Sequence, residues 1–123
     1  MTLTRRHLLT LALATPAVAA LAPRAMAAEP PVYNEGGLAV GGTDVVAYFT
    51  EGTPTGGSRD ITYDHMGVTW RFASEANRDA FMADPEAYMP QYGGYCANGI
   101  AFGIPWGGNA EDFIVHDDRL YIF

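Results

Sequence analysis

The sequence predicts a small α+β domain in which β-hairpins pack on short helices, and three observations carry that prediction. Between Ile61 and Phe72 two β-rich runs flank a turn around His65–Gly67, and Val68, Trp70 and Phe72 alternate with Thr69 and Arg71. That period of two is the mark of a half-buried strand. Directly after it, Ser74 stands where a helix N-cap belongs, with Glu75 in the first turn, where a carboxylate complements the helix dipole. Near the end, Asp112–His116 and Arg119–Phe123 are apolar runs separated by Asp117-Asp118, which reads as a second hairpin.

The remaining elements follow in chain order. Residues 28–43 (AEPPVYNEGGLAVGGT) are rich in Pro, Gly and Ala and read as an extended lead-in to a domain spanning 44–123. Val45–Phe49 is a short apolar run that suits a strand or a turn of helix, and Glu51–Ser58 (EGTPTGGS) is a loop by its turn residues. The helix after Ser74 runs over Glu75–Met82 with Ala76, Ala80 and Phe81 inward. A second helical turn over Pro85–Met89 is stopped by Pro90. Gln91–Gly94 is a turn, a helix can start at Ala97, and Gly103–Asn109 is loop-like. Met82 and Met89 are expected to pack in the core, and Trp70, Trp106 and the tyrosines to form core or pocket walls. The apolar last strand, with no polar tail, predicts that the chain continues beyond Phe123, so that 44–123 is a truncated domain.

Residues 1–27 read as an export signal. Arg5-Arg6 precede an apolar stretch from Leu8 to Ala22, and Ala25-Met26-Ala27 is an A-x-A cleavage site. The paired arginines, with Arg24 just before the cleavage site, indicate the twin-arginine route and a periplasmic destination. The apolar run is broken by Pro16 and falls short of the ~20 residues of a spanning helix, so no membrane insertion is expected after cleavage. Without residues 1–27 the chain keeps four arginines, no lysine and fourteen acidic residues, a net charge of −10. Such a surface repels phosphate backbones and anionic headgroups; it excludes nucleic acid as the expected partner and favours cations.

Candidate chemistry centres on Cys96, the single cysteine. It cannot form an internal disulfide, so it is inert and buried, metal-bound, redox-active, or paired with another molecule. Gly93 and Gly94 precede it and allow close backbone approach, and a helix starting at Ala97 would favour the thiolate. His65 and Met66 occupy the turn of the first hairpin, and His116 lies beside Asp117 and Asp118. A thiolate, an imidazole and a thioether together select Cu(I). The expected function is therefore metal handling, with copper bound by Cys96 and His65, Met66 or His116. Two alternatives stand beside it. Cys96 could serve a thiol redox protein with a small thiol or a redox partner, or the chain could be a non-catalytic structural or interaction domain. No hydrolase, P-loop or haem-attachment motif is present, and the chain leans away from being an enzyme.

Three blocks resemble the YHS-domain proteins, particularly their exported single-domain branch: GTDVVAYFTEG (Gly42–Gly52), HMGVTWRFASEANRDAFMADPEAY (His65–Tyr88) and PQYGGYCANGIAFG (Pro90–Gly103). The resemblance implies a scaffold related to the treble clef. Metal-binding members read F-C-S-x-x-C-x-x-x-F at the strand-helix junction, where this chain has Ala73 and Asn77 in place of the two thiols. An upstream cysteine, in a D-P-V-C-G-M type motif, corresponds to Ala47. A zinc site built from several thiolates is therefore excluded. Some members of the exported branch are described as selenoproteins, and Cys96 is the one position where a selenocysteine could correspond. Members of the branch can also continue past the final hairpin.

Overall fold

A computed structural model describes residues 29–123. The expected twin-arginine signal, with the expected cleavage after Ala27, lies outside the described residues. The chain forms β1 (Asn34–Glu35), β2 (Leu38–Ala39), a 3-10 turn (Val40–Gly42), helix α1 (Ala47–Thr50), β3 (Ser58–His65), β4 (Val68–Phe72), α2 (Glu75–Ala83), α3 (Pro85–Tyr88), a second 3-10 turn (Gln91–Gly94), α4 (Ala97–Ala101), β5 (Phe113–His116) and β6 (Arg119–Ile122). This is the expected α+β arrangement of hairpins on short helices.

The first sheet has the order β1-β2-β4-β3. β3 and β4 pair antiparallel, with His65 opposite Val68 and Tyr63 opposite Trp70. The two residues between them, Met66 and Gly67, both take positive φ (56° and 78°), the geometry of a tight hairpin turn. On β4, Val68, Trp70 and Phe72 are buried while Thr69 and Arg71 are only half-buried. The period of two thus places the core face as expected.

Helix α2 lies on that face. Ser74 caps it, its hydroxyl accepting from the Asn77 amide at 3.1 Å. Phe81 is the pivot: its ring centroid lies 5.0 Å from Trp70 and 5.2 Å from Phe72, and His65 and Tyr63 approach it edge-on at 5.9 and 6.2 Å. The inward stripe is centred on Asn77 and Phe81, one turn apart. Ala76, expected inside, is exposed, because the helix is rotated to turn Asn77 towards a buried partner described below.

The segment read as a lead-in belongs to the packed structure. Leu38 pairs in parallel with Thr69, which adds β1 and β2 to the sheet, and Val32 and Ala39 are buried. Tyr33 N–H donates to the Gly93 carbonyl at 3.0 Å. Gly93 sits at positive φ, and a Cβ there would run into the Pro31 carbonyl, so this close approach requires glycine.

The second sheet is the hairpin β5–β6, closed by Asp117 and Asp118 at positive φ. Its apolar last strand is a core strand, with Leu120 and Ile122 buried. Tyr48 of α1 ties this hairpin to the rest: its hydroxyl donates to the Ala110 carbonyl at 2.6 Å and its ring packs on Phe113. Burial pushes the Tyr48 phenol up to about 12, against a hydrogen bond with Thr43 and with the Glu111 carboxylate adding to the rise. Two further expectations fail. Met82 and Trp106 are about half exposed, since an apolar residue outside the core is common.

Candidate functional site

The three positions at which the resemblance placed missing thiols come together. Ala47 from α1, Ala73 from the β4–α2 junction and Asn77 from α2 line one cleft of about 300 Å³, with Glu51, Thr53, Thr55 and Ser74. Beside it lies Asp44, the one buried charged residue among those described. Its Oδ1 accepts from the Val46 and Ala47 amides at 2.9 and 3.2 Å. Its Oδ2 accepts from the Ala73 amide and from Asn77 Nδ2, both at 2.8 Å. One carboxylate therefore links the start of α1, the end of β4 and the face of α2, through the three residues at which the resemblance placed missing thiols.

The sequence fits this local geometry. An Asp two and three residues before the amides of a helical first turn can accept from both, as in an Asx turn. Ionised, it holds up to four acceptor sites, and four donors meet it here. Sequence reasoning missed Asp44. A signal was present, because an acid directly before the apolar run Val45-Val46-Ala47 is a helix-start pattern, but the partners 29 and 33 residues away leave no local trace.

The predicted metal ligands occupy separate settings. Cys96 is half-buried and free, at the residue before α4. Its amide donates to the Trp106 carbonyl at 2.8 Å, and its carbonyl accepts from Ile100. His65 is half-buried, with its ring against Phe81 and stacked over Tyr63. His116 is exposed at the end of β5, with Nε2 3.4 Å from the Asp117 carboxylate. Among the described residues no three His, Cys, Asp or Glu side chains are grouped to hold a metal ion, so Cys96, His65 and His116 do not form one site among themselves.

Met66 is placed differently from its neighbour His65. It is 46% exposed and lines a cleft of about 260 Å³ with Glu86, Met89, Gln91 and Tyr92. The Pro90–Gly94 segment thus meets the first hairpin turn on one side and runs into Cys96 on the other. A third cleft, of about 340 Å³, lies between Tyr33, Glu35 and the Gly107–Ala110 backbone. No helix among the described residues is long and apolar enough to cross a membrane.

Comparison with known proteins gives one match. The family model of the YHS domain matches residues 46–92, and over that span the chain is similar to this family. The span includes Ala47, His65, Met66, Ala73, Asn77 and Met89, and leaves Asp44, Cys96 and His116 outside. No curated protein and no solved structure matches the chain.

Proposed function

We propose that this chain is an exported, non-enzymatic metal-handling domain that carries Cu(I) as cargo in the periplasm. The YHS domain it resembles is often linked to metal handling, copper included. The observation that carries the reading is the Asp44 link. The point where a structural ion would join α1, β4 and α2 is spanned by a carboxylate with four hydrogen bonds. The fold then needs no metal, and the soft and borderline donors, Cys96, Met66, His65 and His116, stand at turns and element ends. Soft ligands select Cu(I), and a set of few ligands leaves a coordination position open for transfer. The acidic surface supports the same reading, since it attracts cations and repels nucleic acid and anionic membranes. Twin-arginine export would deliver the domain already folded.

The test is a competition titration of the domain (residues 28–123) with Cu(I) against a chromophoric chelator, under anaerobic conditions, beside Cys96→Ser. The expected result is one tightly held equivalent, with affinity reduced by about tenfold or more, some 1.4 kcal/mol, when Cys96 is replaced. Unchanged affinity in Cys96→Ser removes Cys96 from the site, and no binding in either protein removes the function.

A second reading has its own support. Phe102, Ile104 and Trp106, close after Cys96 in the chain, are exposed, which offers an apolar surface to a protein partner. Cys96 would then exchange with a partner disulfide: its thiolate attacks one sulfur, forms a mixed disulfide and releases the other sulfur as a thiolate. Reaction with a neutral alkylating reagent no faster than a free model thiol would contradict this reading.

A further inference from the structure

We infer that Met66 and Met89 form a thioether site for a soft monovalent cation, with Cu(I) as its natural ligand class, on the face between the first hairpin turn and α3. The inference rests on the copper-handling reading above, and places a site there that does not depend on Cys96.

Two of the three methionines in the described chain line the same open cleft. Met66 comes from the β3–β4 turn, and Met89 from the residue that ends α3, where Pro90 fixes the following chain. Glu86 and Gln91 stand beside them. The setting therefore offers two neutral soft donors with one carboxylate, which offsets the charge of a monovalent cation. Thioethers select Cu(I) over hard divalent ions. They also resist the disulfide formation that removes thiolates in an oxidising compartment.

Packing explains Met89 in part, because it touches the core, but it does not explain Met66. Met66 is about half exposed and holds φ at 56°, the left-handed region that costs an ordinary side chain about 1 kcal/mol or more. Asn or Gly is the residue this turn favours. A long apolar side chain, half exposed and in an unfavourable conformation, is not the residue that turn stability alone selects at that position. It does project a flexible thioether from the turn into the cleft that Met89 lines. Met82, exposed on α2 to a similar degree, is not among the residues of this cleft and provides an internal control.

The experiment uses the domain (residues 28–123) labelled with carbon-13 at the methionine methyl groups and titrated with Ag(I), a redox-inert probe for Cu(I). The expected result is that the Met66 and Met89 methyl signals shift together and saturate with the second equivalent, after the Cys96 thiolate has taken the first, while Met82 does not move. Met66→Leu and Met89→Leu, which conserve volume, each weaken Ag(I) binding by about tenfold or more, and Cys96→Ser leaves the methyl shifts in place. Equal shifts at all three methionines would show non-specific binding and overturn the inference. Ag(I) binding that is lost in Cys96→Ser and kept in both methionine variants would overturn this site while leaving copper handling through Cys96 standing. No Ag(I) binding in any protein would overturn both.

Discussion

Replacing Asp44 with alanine is expected to lower the thermal unfolding midpoint of the domain by about 20 °C. The change leaves the amides of Val46, Ala47 and Ala73 and the Asn77 side chain without their acceptor. Hydrogen bonds to a charged group contribute about 1.5–3 kcal/mol each, and an unsatisfied buried donor costs about 1–3 kcal/mol. Because the four share one carboxylate they do not add independently, and a total near 4 kcal/mol is expected. In a domain this small each kcal/mol moves the midpoint by about 4–8 °C, and total stability is only about 5–15 kcal/mol. Asp44→Asn removes the charge and turns an NH2 group towards one of the two donor pairs, so it should recover little. Asn77→Ala, which removes a single donor, should cost about 1–2 kcal/mol. Thermal and denaturant unfolding of the three variants checks this order. An Asp44→Ala protein within 1 kcal/mol of the parent would contradict the role given to the carboxylate.

The second large effect is a gain. Ala47, Ala73 and Asn77 line one cleft around the Asp44 carboxylate, so cysteines at all three positions should create a tetrahedral site of three thiolates and one carboxylate oxygen. Zinc accepts such a donor set, and a structural zinc site typically contributes on the order of 10 kcal/mol to the folded state. The Ala47→Cys, Ala73→Cys, Asn77→Cys protein is expected to bind one Zn(II) and, with Co(II), to show the thiolate charge-transfer absorption of tetrahedral cobalt. The parent, lacking these thiols, shows neither. The double variant Ala47→Cys, Ala73→Cys, which keeps Asn77 on Asp44, should bind more weakly. A triple variant with no cobalt-thiolate band would mean that the three positions do not face a common point.

What the sequence made legible was local. The alternation Val68-Trp70-Phe72, the Ser74 cap and the aspartate pair in the last hairpin each depend on residues within one turn or one strand, and each stands where it was read. The pairing of Leu38 with Thr69 depends on residues far apart in the chain. The lead-in therefore looked extended, although it adds two strands to the sheet. The same distance hid Asp44, whose carboxylate matters because of Ala73 and Asn77, and hid the Met66–Met89 cleft, where a turn meets the end of α3. Hydrophobicity alone misplaced Met82 and Trp106, because apolar character permits burial without requiring it. Resemblance added what periodicity could not: it pointed to Ala47, Ala73 and Asn77 as one group, and the structure brings them to one cleft.

The fold of this domain is closed by a carboxylate, and its proposed metal is cargo. The most direct measurement is the unfolding of the domain after exhaustive chelation, compared with the same protein loaded with Cu(I). The account predicts that the stripped protein is folded and unfolds in one cooperative transition. It also predicts that Cu(I) adds only the shift expected from mass action on a bound ligand. A stripped protein that has lost its cooperative transition, and regains it only with metal, would show that the ion holds the fold together and would contradict the account.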